Sequence, residues 1–121
     1  MAHILVIDDD NKLRTLIRRI LENAGHEVAE AANGRIGLDM QRESPADLII
    51  TDIFMPEKEG TEFIMDIGAE FPKAKVIVMS GGGNVADVDF LKLAENLGAL
   101  RTFQKPFDHK KLLAAVKELV D

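Results

Sequence analysis

The chain has no cysteine, no tryptophan and no tyrosine. The first absence excludes disulfides, thiolate nucleophiles, zinc fingers and iron–sulfur clusters together. It fits a cytoplasmic setting. The other two leave no indole or phenol ring to stack on an isoalloxazine. The three histidines, His3, His26 and His109, are scattered, so a histidine metal site is not expected. Basic charge is short as well. Fifteen Lys plus Arg stand against 21 Asp plus Glu, for a net charge of −6. A negative globule repels phosphate backbones and anionic headgroups, which argues against direct nucleic-acid or membrane binding. No apolar run approaches the ~20 residues that span a bilayer. No basic segment leads into an apolar core at the start, so no secretory leader is expected.

What is there reads as an ordinary globule. Hydrophobic residues are 46% and charged residues 30% of 121. That length predicts a single domain over residues 1–121, able to bury a core without staples. Ile4-Leu5-Val6-Ile7 is rich in β-branched residues, as a strand buried on both faces should be. From Leu13 the period changes. Leu13, Leu16, Ile17, Ile20, Leu21 and Ala24 fall on one helical face, with Asp10 able to cap the helix and Gly25 to end it. The alternation then repeats. Strands are predicted at 28–32, 48–50, 76–79 and 99–104, and helices at 34–43, 61–71, 85–97 and from Asp108 to the end. Gly37 weakens the second helix by ~1 kcal/mol relative to Ala.

Strand and helix alternate five times, which predicts parallel strands joined by right-handed crossovers. Five units are too few for an eight-fold barrel. The expected fold is α/β: an open, doubly wound five-stranded parallel sheet with five helices on its two faces. In such sheets the chemistry lies beyond the carboxyl ends of the strands. Those ends read Asp8-Asp9-Asp10, Thr51-Asp52, Ser80 followed by three glycines, and Lys105-Pro106. Carboxylates packed closely repel one another unless a cation joins them. An all-oxygen ligand set suits a hard ion such as Mg²⁺. A cation, a hydroxyl and a lysine together suit a phosphoryl group. Asp52 would then be the nucleophile of an acyl phosphate. Asp10 is better spent as a helix cap.

Four segments, ILVIDDD, TDIFMPEKEG, VIVMSGGG and FQKPF, stand in order at successive strand ends. In them the chain resembles the receiver domain of two-component signalling, such as the chemotaxis receiver and the input halves of response regulators. The resemblance covers essentially all 121 residues. It implies a flavodoxin-like strand order 2-1-3-4-5. It implies that Asp52 is the phosphoacceptor, and that Mg²⁺ is held by Asp8, Asp9, Asp52 and the backbone carbonyl of Phe54. Ser80 would bond one phosphoryl oxygen and Lys105 another, and the Lys105–Pro106 bond is cis in similar proteins. The partners it implies are a sensor histidine kinase or histidine phosphotransfer protein as donor. The output partner would bind through the fourth helix, fifth strand and fifth helix, and phosphorylation-dependent homodimers belong to the same expectation. Such a domain is a switch that catalyses only its own phosphorylation and dephosphorylation.

Two departures stand out. Thr102 occupies the place where many receivers carry an aromatic switch residue, and Phe103 alternates to the core side of the strand. The segment from Ser80 to Lys105 is longer than usual. Val88 and Leu91 fall off the inward stripe of the predicted fourth helix and suggest a partner surface. Two other functions compete. A phosphatase of the haloacid dehalogenase type also uses an aspartyl phosphate, and Asp8-x-Asp10 superficially fits its acidic pair. Lys12 and the short chain speak against it. A phosphorylation-independent, receiver-like binding module would not need the complete acidic and lysine set.

Overall fold

The computed structural model describes residues 2–52, 60–80, 99–104 and 108–120. β1 (His3–Ile7) runs into α1 (Asn11–Asn23), which begins at Asp10. The Asp10 carboxylate accepts the Lys12 and Leu13 amides at 3.0 and 3.2 Å, satisfying two donors that the first turn leaves over. The helix ends at Ala24, and Gly25 takes a left-handed φ of 97°, the conformation a glycine adopts at least cost. β2 (Glu27–Ala31) leads to α2 (Gly34–Glu43), capped by the Asn33 side chain on the Ile36 amide. β3 (Leu48–Asp52), α3 (Gly60–Glu70), β4 (Lys75–Ser80), β5 (Arg101–Gln104) and α4 (His109–Val120) complete the described elements. The predicted helix at 85–97, with Val88 and Leu91, lies outside the described residues. Among the described residues there are four helices where five were expected.

All five strands are parallel, in the order β2-β1-β3-β4-β5. Strand residues point alternately to the two faces, and each face has its own core. Leu5, Ile7, Ile49 and Val78 pack under α2 and α3 with Leu38, Phe63, Ile64 and Ile67. Ile4, Val6, Ile50 and Ile77 pack under α1 and α4 with Ile17, Leu21, Leu112 and Val116. Such double burial explains why β1, β3 and β4 read as unbroken apolar runs. The stripe expected on α1 is narrower than its periodicity suggests. Ile17 and Leu21 are fully buried, but Leu16 is 42% exposed. Ile17 and Leu21, with Leu13 packed beside them, make the contact with the core under α1, and Leu16 stays outside it. Phe103, as expected from alternation, packs against the α1/α4 core. No helix among the described residues is long and apolar enough to cross a membrane.

Candidate functional site

Parallel pairing brings the strand ends into line. Ile7 is in register with Thr51, and Asp52 with Met79. The residues just past Ile7 therefore sit beside Asp52, and Ser80 follows one step beyond Asp52's partner on the other side. Asp8, Asp52 and Ser80 are buried, while Asp9 is exposed at the bend after β1. One carboxylate oxygen each from Asp8, Asp9 and Asp52 lies within 4.8 Å of the others. Asp10 is not part of this cluster, because its carboxylate is turned back onto the first turn of α1.

The backbone around Asp8 is tightly tied. Its N–H donates to the Ala31 carbonyl at 3.2 Å, continuing the β1–β2 ladder by one residue. Its side chain accepts the Asp10 amide at 2.9 Å, closing an Asx turn. Its carbonyl accepts a hydrogen bond from the Arg14 guanidinium at 2.6 Å. On β3, the Thr51 hydroxyl donates to the Asp52 carbonyl at 3.0 Å. Arg14 also donates to Glu30 of β2 at 2.9 Å, and Glu30 takes a second arginine, Arg18, at 2.9 Å. The Arg18 guanidinium, with Arg14 beside it, holds the Glu30 carboxyl below its ordinary range against the opposing effect of burial.

The donor set fits a hard divalent cation. All three groups are carboxylates, with no nitrogen or sulfur among them. Three carboxylate oxygens within 4.8 Å of one another are close enough for a single divalent ion to be shared among them after small side-chain movements. Burial of Asp8 and Asp52 strengthens electrostatic attraction there, and exposed Asp9 leaves a way in for a hydrated ion.

Of the residues singled out in the sequence, the structure brings Asp8, Asp9 and Asp52 together and ends the neighbouring strand at Ser80. Phe54, Gly81–Gly83, Lys105 and Pro106 lie outside the described residues. No histidine among the described residues joins this cluster. His26 accepts the Ala2 amide at 3.2 Å on Nδ1, and His109 opens α4. A groove of about 600 Å³ lies at the opposite, amino-terminal edge of the sheet, between Asp47, Phe71, Lys75 and Leu119. It gathers a single carboxylate, so the site chemistry is not there. Sequence reasoning missed Arg14 and Glu30. The available signal was a pair of arginines four residues apart on the flank of α1, with a glutamate, Glu30, between the alanines Ala29 and Ala31 of the second strand.

The sequence matches the family model of the response regulator receiver domain over residues 4–117. It is 36% identical over 120 residues to the DNA-binding transcriptional regulator NtrC of Azospirillum brasilense, covering 99% of this chain and 24% of that protein. The chain thus spans about a quarter of that relative. It is 35% identical over 117 residues to the chemotaxis protein CheY of Thermotoga maritima, covering 96% of this chain and 95% of that one. The crystal structure of a CheY-like response regulator receiver domain protein from Methanospirillum hungatei superposes with a TM-score of 0.90 at 31% identity. The match takes in 100% of this chain and 94% of that one.

Proposed function

The chain belongs to the response regulator receiver domain family, and from that premise we propose how its own residues serve the phosphoacceptor switch of two-component signalling. The observation that carries the reading is the meeting of three carboxylates at one sheet edge, with Ser80 ending the next strand. Asp52 is the phosphoacceptor. β3 lies between β1 and β4, so a group on Asp52 is within reach of the acidic pair on one side and Ser80 on the other. One Asp52 carboxylate oxygen attacks the phosphorus of a phosphohistidine. The P–N bond breaks, the histidine nitrogen leaves and takes up a proton, and an acyl phosphate remains on Asp52.

Asp8 and Asp9, with Asp52 and the Phe54 carbonyl, hold Mg²⁺. When bound, the ion neutralises charge on the phosphoryl oxygens. The Ser80 hydroxyl donates to one phosphoryl oxygen, and Lys105 pairs with another. The donor is a sensor histidine kinase or a histidine phosphotransfer protein. The domain catalyses only its own phosphorylation and dephosphorylation, and works in the cytoplasm. Its output passes through the segment after Ser80, β5 and α4, because new contacts at Ser80 and Lys105 exist only in the phosphorylated state and so shift the equilibrium between two conformations. Incubation with acetyl phosphate and Mg²⁺, followed by intact mass, tests the reading. The parent should gain one phosphoryl group and Asp52→Asn none. A mutant labelled at the parental rate removes Asp52 from its role.

A further inference from the structure

The guanidinium of Arg14 makes three hydrogen bonds at once. Nη1 donates to the Asp8 carbonyl at 2.6 Å, Nε to Glu30 at 2.9 Å and Nη2 to the Asn11 side chain at 2.7 Å. Its side chain is only 14% exposed, and that of Glu30 18%. The acceptors come from three different elements: the end of β1, the edge strand β2 and the first turn of α1. The Asp8 carbonyl belongs to the peptide that joins Asp8 to Asp9. That peptide is planar, so fixing its oxygen fixes the plane from which both acidic side chains hang.

Asp9 is past the last β1–β2 bond, which ends at Asp8, and before the α1 cap at Asp10. The Asx turn ties the peptide that follows it, through the Asp10 N–H on the Asp8 side chain, and Arg14 holds the peptide that precedes it. The direction of its Cβ is set by these two peptides, and Arg14 is the side chain from outside the turn that grips the first of them. Glu30 stands on β2 and is also held by Arg18 of α1, so the acceptor that orients Arg14 is fixed by the sheet and by a second helical contact. We propose that Arg14, braced by Glu30, is the positioning residue that presents Asp8 and Asp9 to the divalent cation. This rests on the reading that Asp8, Asp9 and Asp52 hold Mg²⁺. The planar fork is what the role requires. A lysine at this place keeps the positive charge but gathers its donors on one freely rotating nitrogen instead of a rigid fork aimed at three acceptors.

Amide chemical-shift titration with Mg²⁺, on folded parent, Arg14→Met, Arg14→Lys, Glu30→Gln and Asp9→Ala, tests this, with urea midpoints measured separately. Partners that orient metal ligands typically contribute about 10–100-fold in affinity. Arg14→Met should bind Mg²⁺ roughly tenfold more weakly or worse. Arg14→Lys should fall with it, which separates orientation from simple charge. Glu30→Gln should show a smaller loss in the same direction and keeps the test open if Arg14→Met does not fold. Parental Mg²⁺ affinity in Arg14→Met and Glu30→Gln, with only their urea midpoints lowered, would make Arg14 a structural tie and overturn the inference. Parental affinity in Asp9→Ala, or no binding by the parent, would overturn the metal reading itself.

Discussion

Gly37 of α2 lies so close to Ile7 of β1 that a methyl group on its Cα would overlap the Ile7 Cδ1 and come within 3.0 Å of Cγ1. Ile7 is the last residue before the acidic pair and is fully buried. The glycine lets α2 settle against the strand end that carries the site.

Two effects oppose each other in Gly37→Ala. Helix propensity favours alanine by ~1 kcal/mol, while forcing a methyl into a filled core costs about 1–3 kcal/mol. The Ile7 side chain has little room to retreat, because it is fully buried in the same core as Phe63, which itself lies 3.6 Å from the added carbon. The variant should therefore be less stable by about 1 kcal/mol in urea unfolding. A gain in stability would mean that α2 stands further off the sheet.

Asp10 and Asp9 are neighbours with separate duties. Asp10→Ala removes the acceptor for the Lys12 and Leu13 amides and should lower stability by ~1 kcal/mol. The Asp10 N–H that bonds Asp8 is backbone and survives the change. Magnesium affinity should stay at the parental value, whereas Asp9→Ala should lose most of it. A steep loss of affinity in Asp10→Ala would bring Asp10 into the ligand set.

Ser80→Ala should bind Mg²⁺ as the parent does, since the carboxylates come from β1 and β3 and their following turn. The amide-shift changes that phosphorylation induces along β4 and β5 should shrink. Parental shift changes in the phosphorylated mutant would rule out the hydroxyl as the sensor of the phosphoryl group.

The brace around Glu30 should register in acid. Its folded carboxyl titrates below the ordinary value of 4.5 because Arg18 and Arg14 bond the ionised form. A carboxylate lowered on folding contributes stability that is complete above its unfolded pKa and disappears as pH falls through the folded one. Parent and Glu30→Gln should thus differ in unfolding free energy from urea at pH 6–7 by roughly 1 kcal/mol, the upper range for such pairs. They should converge as the pH falls through the lowered folded value. A gap that persists into acid would mean that the glutamine lost packing rather than charge.

Thr102 is half-buried on β5, in register with Val78. Thr102→Tyr should change stability by less than ~1 kcal/mol, as partly exposed substitutions usually do. It should change association of the phosphorylated protein more. Light scattering of phosphorylated parent and variant checks this, and identical profiles would remove position 102 from the output route.

The acidic edge was readable because each of its residues terminates an apolar strand run, and parallel pairing must bring such ends to one side. Arg14 was not readable in the same way. Its neighbours are set by which strand lies at the sheet edge over α1, a tertiary fact, and helical periodicity marks it only as polar. Leu16 shows the converse. It satisfies the helical period but lies outside the contact line of Ile17 and Leu21, since the period gives a stripe's direction and not its width. Gly37 was read as a weak point in a helix. Its cause is the approach of Ile7, which no local pattern contains.

The strand order also sets when the site can exist. β1 is synthesised first but lies between β2 and β3, so Asp8 and Asp9 wait for a neighbour from the middle of the chain. Before β3 docks, the acidic pair sits on a two-stranded ribbon, which is marginal in water. The β1–β3 closure is the non-local, slow kind of pairing. A cation that needs Asp52 as well as the acidic pair will ignore earlier intermediates and bind only the docked sheet. Its presence should then prolong the lifetime of the folded chain, by slowing escape, without hastening the first steps of folding.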